Sequence, residues 1–230
     1  MMNNNEKFNP KNNTKNKSFK RYVIENTNTY RIVFWFALAL LILLNTICFF
    51  GVIPSSSMEP TINTGDRVYV NRLSYSKSSP QRKDIIAFKS PDSANKILVK
   101  RCIGLPGDTL EIKNGQAYIN GSVLGEPFLA EAYKGVFGPY YVPKAGDIVD
   151  YNGVNCYIND VYVGKADFIN TYCEKINEQY IVKNDCYFML GDNVNNSLDS
   201  RYWENKYITN EDNIIGKVIF RFFPNLNKIQ

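Results

Sequence analysis

The sequence predicts a mainly β protein behind a single N-terminal transmembrane helix, with a second, β-ribbon-rich subdomain set into the main sheet domain. Three observations carry that reading. From Ile32 to Phe50 the chain runs IVFWFALALLILLNTICFF, 19 residues without a charge. Beyond Met58 it breaks into short, partly alternating stretches rich in β-branched and aromatic residues, in a chain holding 16 Tyr and 14 Phe. Two Asn-Gly pairs, Asn114-Gly115 and Asn152-Gly153, then sit between strand-like runs, a strong hairpin signal.

Residues 1–20 are Asn- and Lys-rich with almost no apolar content, so residues 1–31 are expected to form a disordered basic tail. The apolar run follows as an anchor over 32–53. At 1.5 Å per residue its 19 residues make a helix of about 28 Å, close to the roughly 30 Å hydrocarbon core of a bilayer. It is apolar on every face, as a lipid-exposed helix is. Seven basic residues lie just before it (Lys7, Lys11, Lys15, Lys17, Lys20, Arg21 and Arg31) against Glu6 and Glu25. That excess is expected to keep the N-terminus cytoplasmic, in a single-pass protein of the cell membrane with residues 54–230 on the far side. A cleaved secretory signal is the competing reading. No small-x-small site follows the segment, so it reads as an uncleaved anchor.

In the domain that follows, RVYVNRL (67–73), DIIAFKS (84–90) and KILVKRCIGL (96–105) read as strands. GDTLEIKNGQAYING (107–121) and GDIVDYNGVNCYIND (146–160) share an opening Gly-Asp, a central Asn-Gly and a closing Tyr-Ile-Asn. They predict two similar ribbons inside an insertion over about 107–185. Helix signals after residue 60 are weak.

Composition excludes several functions. The chain has no histidine, which removes the Ser-His-Asp triad, the Cys-His dyad and the usual zinc sites. Any hydrolase here must draw its base from Lys, Asp, Glu or Tyr. The net charge of +5 resides entirely in residues 1–31, leaving 20 basic and 20 acidic groups in residues 32–230. A nucleic-acid binder carries its basic excess on the folded part, so no nucleic-acid partner is expected. The five cysteines show no CxxC spacing, and no metal or cofactor is expected. Cys156 and Cys173 are either one disulfide in an oxidising compartment or buried free thiols.

Three segments carry polar residues that plain strands and turns do not need. Ile53-Pro54-Ser55-Ser56-Ser57-Met58-Glu59-Pro60-Thr61 follows the anchor directly, its prolines stopping the helix; alone, such a serine-rich stretch is usually a linker. Leu98-Val99-Lys100-Arg101-Cys102-Ile103 sets a lysine in an apolar run, where a buried amine must be neutralised or paired. If it points outward, it is an ordinary strand-surface lysine. Gly191-Asp192-Asn193-Val194-Asn195-Asn196-Ser197-Leu198-Asp199-Ser200-Arg201 reads as a loop held by side-chain-to-backbone bonds, with Asp199 and Arg201 able to pair across a turn.

Together with GDRVYVNRL (65–73), these stretches resemble, in order and spacing, the sequence boxes of bacterial type I signal peptidases, from the anchor to about Phe223. The resemblance implies a mainly β fold, a Ser/Lys-dyad serine protease, and signal peptides of exported preproteins as substrates, cut after small-x-small motifs. Carried over by position, Ser57 is the nucleophile and Lys100 the general base. Ser55 joins the Ser57 backbone N–H in the oxyanion hole, Ser197 orients the amine, and Asp199 and Arg201 brace the site. Ile53, Pro54, Met58, Ile62 and Val99 fall where the family lines its small apolar pockets. The family's last box usually reads Gly-Asp-Asn-Arg-Asp-Asn-Ser; here Val194 and Asn195 replace the Arg-Asp pair, a departure that touches loop bracing more than the positions assigned to chemistry. The lipid bilayer is the other expected partner, and the chain is expected to act as a monomer.

A dyad of this kind needs a lysine held far below its free pKa of about 10.4, and burial does this by disfavouring the ammonium. A hydroxyl such as Ser197 can hold a neutral amine without recharging it, and Arg101 is expected to add a like charge if it lies close. Two other readings compete. A Ser/Lys peptidase of the same fold could serve another maturation task, and a catalytically inactive, membrane-anchored β domain could bind partners.

Overall fold

Helix α1 spans Pro10–Ile47, 38 residues. The structure, a computed structural model, describes residues 10–114, 116–125, 135–204, 206–209, 213–223 and 227–228. Within α1, Thr29–Ile47 has a mean hydropathy of 1.9 over 19 residues and is not buried, so it is long and apolar enough to cross a membrane. The helix differs from the expected disordered tail by starting at Pro10; residues 1–9 of that tail lie outside the described residues. Proline suits a first helical turn, and extending a helix already formed costs far less than nucleating one. The anchor expected over 32–53 also ends early. Asn45 Nδ2 and Thr46 Oγ1 each donate to a carbonyl four residues back at 2.9 Å, a local bond that weakens continuation. At Cys48 the chain turns extended.

The strands then follow in chain order. First come β1 (Cys48–Val52), β2 (Arg67–Asn71), β3 (Ile85–Ser90) and β4 (Ser93–Gly104). Next are β5 (Thr109–Lys113), β6 (Gln116–Ile119), β7 (Ser122–Val123), β8 (Phe137–Tyr141), β9 (Ile148–Tyr151), β10 (Asn155–Ile158) and β11 (Val161–Lys165). A short helix, α2 (Ala166–Tyr172), leads to β12 (Cys173–Ile176), β13 (Gln179–Val182) and β14 (Cys186–Leu190). The chain closes with β15 (Ile208–Thr209), β16 (Ile214–Phe223) and β17 (Asn227–Lys228).

Among the described residues these strands make three sheets. The largest has the order β1-β2-β16-β3-β4-β14-β15, with β17 added to β16. The others are β11-β10-β9-β13-β12 and β7-β6-β5-β8. The mainly β class expected from the sequence is what the chain adopts. Both Asn-Gly hairpins form, as β5–β6 and β9–β10, with Asn114 at φ 53° and Gly153 at φ 92° supplying the left-handed turn conformation. The two ribbons lie in different small sheets.

Pairing of β1 with β2, from Cys48 opposite Asn71 to Val52 opposite Arg67, takes the end of the apolar run into the main sheet. The chain divides into two units, Met1–Thr46 and Ile47–Gln230. Within the second, one core cluster joins both small sheets to β14: Leu110 and Ile112 of β5, Val149 of β9 and Ile158 of β10 pack with Phe188, Leu190 and Tyr207. The insertion therefore shares its core with the main sheet. Cys156 and Cys173 are buried free thiols, which settles the alternatives left by their spacing. Burial pushes both thiols above their ordinary pKa, which keeps them protonated and poorly nucleophilic.

Candidate active site

Three segments remote in sequence meet around one strand of the main sheet, β4. The first is the 3-10 turn Ser56–Met58, anchored by Met58 and Ile62, which are 1% and 0% exposed in the core beneath β1 and β2. The Ile62 N–H donates to the Met58 carbonyl at 2.9 Å, closing the loop on itself. The second is β4, interior to the sheet, with Lys100 opposite Ile86 of β3 and Arg101 opposite Leu190 of β14. The third is the loop 191–201 that leaves β14.

Successive side chains of a strand leave on opposite faces, so Lys100 and Arg101 have different destinations. Lys100 Nζ lies 2.5 Å from Ser57 Oγ, and both residues are buried, at 3% and 8% exposure. Arg101 instead makes a two-pronged pair with Asp192, at 2.8 and 2.6 Å, and donates to the Lys83 carbonyl at 2.9 Å. Thr61 Oγ1 donates to the same Asp192 carboxylate at 2.5 Å. Thr61, Asp192 and Arg101 thus bind the three segments to one another. Arg101 is not the like charge that acts on Lys100, as expected from its position in the chain; Asp192 neutralises it.

Burial holds the Lys100 amine down at about 8, from an ordinary 10.5. Asp199 pulls it back up, Arg201 pushes it down, and Asp192 raises it again. The charges of the Asp199–Arg201 pair therefore oppose each other at Lys100, and loss of hydration dominates. The site thereby holds an amine that is partly neutral near neutral pH.

The loop 191–201 grips the turn carrying Ser57. The Asn193 N–H donates to the Ser57 carbonyl at 3.1 Å, and Asn193 Nδ2 to the Ser56 carbonyl at 3.2 Å. Asn196 Nδ2 reaches Ser56 Oγ at 2.7 Å. The loop itself is built around Asp199 and Arg201, whose side chains are 0% exposed and joined by two bonds of 2.7 and 2.9 Å. Arg201 also donates to the carbonyls of Val194, at 2.8 Å, and Ser197, at 3.4 Å; Asp199 accepts from the Gly191 N–H at 3.1 Å. Val194 is buried and accepts this bond through its backbone, so the side chain at that position does not decide the bracing. Gly191 has to be glycine: a Cβ there would sit 2.2 Å from Ser197 Oγ and 2.5 Å from the Ser57 carbonyl.

The remaining candidates divide. Ser55 is exposed, with its Oγ 3.4 Å from Ser57 Oγ. Ser197 is buried, and among the described residues its hydroxyl has no hydrogen-bond partner, so the expected bond to the Lys100 amine is not formed. It does line a common cleft with Lys100 and Ser57. Ile53, Pro54, Met58 and Val99 line an apolar cleft of about 370 Å³ that also reaches Ser55, Ser57 and Lys100. Ile62 is set behind Met58 in the core and does not reach the cleft surface. Phe49 and Ile97, which the sequence reading did not single out, complete that cleft's wall. Asp192, Asn193 and Asn196 also went unassigned, although the polar density of the 191–201 box pointed at them.

The match to a known family covers residues 26–223 and has the description signal peptidase, peptidase S26. A probable signal peptidase I-2 of Synechocystis sp. is 30% identical over 177 residues, 75% of this chain and 62% of that protein. A signal peptidase I of Leptolyngbya laminosa is 32% identical over 179 residues, 75% of this chain and 67% of the relative. Signal peptidase IB of Staphylococcus aureus is 33% identical over 172 residues, 75% of this chain and 76% of its own length. The chain thus spans a little under two thirds of the first of these relatives and three quarters of the last. With a family match that runs over residues 26–223, this chain belongs to the signal peptidase family of S26 peptidases.

Proposed function

We propose that this chain is a membrane-anchored serine endopeptidase that removes signal peptides from exported preproteins, with Ser57 as nucleophile and Lys100 as general base. The observation that carries the reading is the 2.5 Å approach of a buried lysine amine to a serine hydroxyl. With the amine at about 8, about one molecule in ten holds it neutral at pH 7, against fewer than about one in a thousand at 10.5.

The neutral Lys100 amine takes the Ser57 hydroxyl proton as Oγ bonds to the scissile carbonyl carbon. The oxyanion that forms faces the Ser57 backbone N–H and the Ser55 hydroxyl. Collapse breaks the peptide bond, and the Lys100 ammonium returns the proton to the departing amine of the mature protein. Water then attacks the acyl-serine and loses a proton to Lys100; the bond from the acyl carbon to Ser57 Oγ breaks, Lys100 returns that proton to Oγ, and the signal peptide leaves with its new carboxylate. Asp199 and Arg201 hold the loop that positions Ser57. The apolar cleft beside Ile53, Pro54, Met58 and Val99 accepts the small side chains that precede the cut.

Helix α1 anchors the enzyme in the membrane that its substrates cross, with the N-terminus on the cytoplasmic side and the catalytic unit acting beyond it as a monomer. The decisive experiment is cleavage of a preprotein in detergent by the wild type, Ser57→Ala and Lys100→Met. The wild type is expected to cut after a small-x-small motif, and both folded variants to lose activity by at least about a thousandfold. A folded wild type that cuts nothing, or a variant that keeps full activity, sinks the dyad and favours a partner-binding β domain.

A further inference from the structure

The apolar cleft is only half of the space around the candidate dyad. A second cleft of about 500 Å³ opens on the same four residues, Ser55, Ser57, Leu98 and Lys100, and is otherwise walled by the 191–201 loop and Tyr202. Its distinctive residues are Asn195, Leu198 and Tyr202. The two clefts share the residues around Ser57 and are otherwise lined by different segments, as the two sides of an extended substrate about a scissile bond require.

The composition of the second cleft is specific. Lys100 is the one ionisable cation or carboxylate lining it. The two carboxylates of the adjoining loop, Asp192 and Asp199, are each occupied by a two-pronged arginine. Two large side chains stand open to solvent at its wall, Leu198 at 74% exposure and Tyr202 at 50%. They are not on slack chain. Tyr202 lies over the Arg201 guanidinium at 5.0 Å and meets Phe137 of β8 edge-on at 5.7 Å. Arg201 is itself fixed by Asp199. A solvent-exposed apolar wall held by a buried ion pair is preorganised to cover something, and continuity with the first cleft says what.

We propose that Leu198 and Tyr202 form the subsite for the first residues of the mature protein, and that they select an apolar or aromatic side chain directly after the cut. This rests on the reading of Ser57 and Lys100 as the dyad and of the apolar cleft as the signal-peptide side. Phe137 belongs to the small sheet of the insertion, so the ribbon region contributes to specificity by backing Tyr202. An acidic side chain at the same place would meet no cation in the cleft lining except the Lys100 amine, which its charge would push toward the protonated, inactive form.

The test uses the full-length protein in detergent and preproteins identical except for the first mature residue, set to Leu, Ala, Asp or Lys. The readout is the ratio of kcat/KM between substrates, which a merely structural effect on the enzyme would leave unmoved. The wild type is expected to favour Leu over Ala by about tenfold, the effect of burying a few methylene groups, and to cut the Asp substrate slowest. Leu198→Ala should bring the Leu-to-Ala ratio toward one. Leu198→Glu should reverse the order, so that Lys is cut faster than Leu. Tyr202→Phe keeps the edge-on contact with Phe137 and should keep the ratio. Equal rates on all four substrates, or ratios that survive both Leu198 variants, overturn the subsite while leaving the dyad standing. A folded wild type that cuts none of them overturns both.

Discussion

Lys100 shows how a single side chain sets the conditions under which the site works. Its amine is held down to about 8 mainly by loss of hydration, so the proposed base is mostly protonated at pH 7 and mostly free above pH 8. Below that value kcat/KM is expected to rise about tenfold per pH unit and then level off, as a pH–rate profile would record. A rate flat from pH 6 to 9 would contradict this. The same residue bears on stability. The unfolded chain holds this proton more tightly than the folded one, so the full penalty applies below about pH 8 and is relieved between about 8 and 10.5. A drop from 10.5 to about 8 corresponds to about 3 kcal/mol. Lys100→Met should therefore melt higher than the wild type at pH 7, which calorimetry can check, while being inert as an enzyme. The lysine's place in an apolar run was legible in the sequence because burial of a charge leaves a compositional mark. The destination of Arg101 was not legible, because its partner Asp192 is 91 residues away and joins it only through the β4–β14 pairing.

At the scale of an element, the loop 191–201 is a scaffold whose core is an ion pair. Asp199 and Arg201 are wholly buried; Arg201 holds the Val194 and Ser197 carbonyls, and Asp199 holds the Gly191 N–H at the end of β14. Removing one partner strands the other charge, a loss of about 3–5 kcal/mol for buried pairs. Arg201→Met is expected to lower the unfolding free energy from denaturant titration by that amount and to release the grip of Asn193 and Asn196 on the Ser57 turn. An unfolding free energy within about 1 kcal/mol of the wild type would mean the pair is not what holds the loop. The sequence showed this loop as a cluster of small polar residues and paired Asp199 with Arg201 by proximity. It also exposed the two Asn-Gly hairpins, since a tight turn writes its demand for positive φ directly into residue choice. The end of the anchor was less visible. Cys48, Phe49 and Phe50 read equally well as the last turn of an apolar helix or as a strand, and only pairing with β2 decides between them. Ile62 was misplaced for a similar reason: apolar identity marks a residue as inward, without saying whether inward means cleft or core.

For the molecule as a whole, the division at Thr46 and Ile47 gives a membrane-length helix and a catalytic unit with its own cores. A chain shortened by residues 1–46 is expected to unfold cooperatively and to cut a soluble peptide, but to process a preprotein in lipid vesicles about a hundredfold more slowly, because sharing a bilayer raises effective concentration. Flotation of vesicles beside the cleavage assay would separate lost binding from lost chemistry. The topology of that unit has a temporal side. The order β2-β16-β3 places the strand Ile214–Phe223, near the C-terminus, between two strands that leave the ribosome some 125 to 150 residues earlier. Until it arrives, β2 and β3 each lack a neighbour, and the sheet that presents Lys100 to Ser57 is split into two pieces. The long sequence separation also makes closure a late, slow event. A nascent chain that lacks β16 is therefore expected to be inactive, because the sheet that brings Lys100 to Ser57 is complete only once that strand has paired.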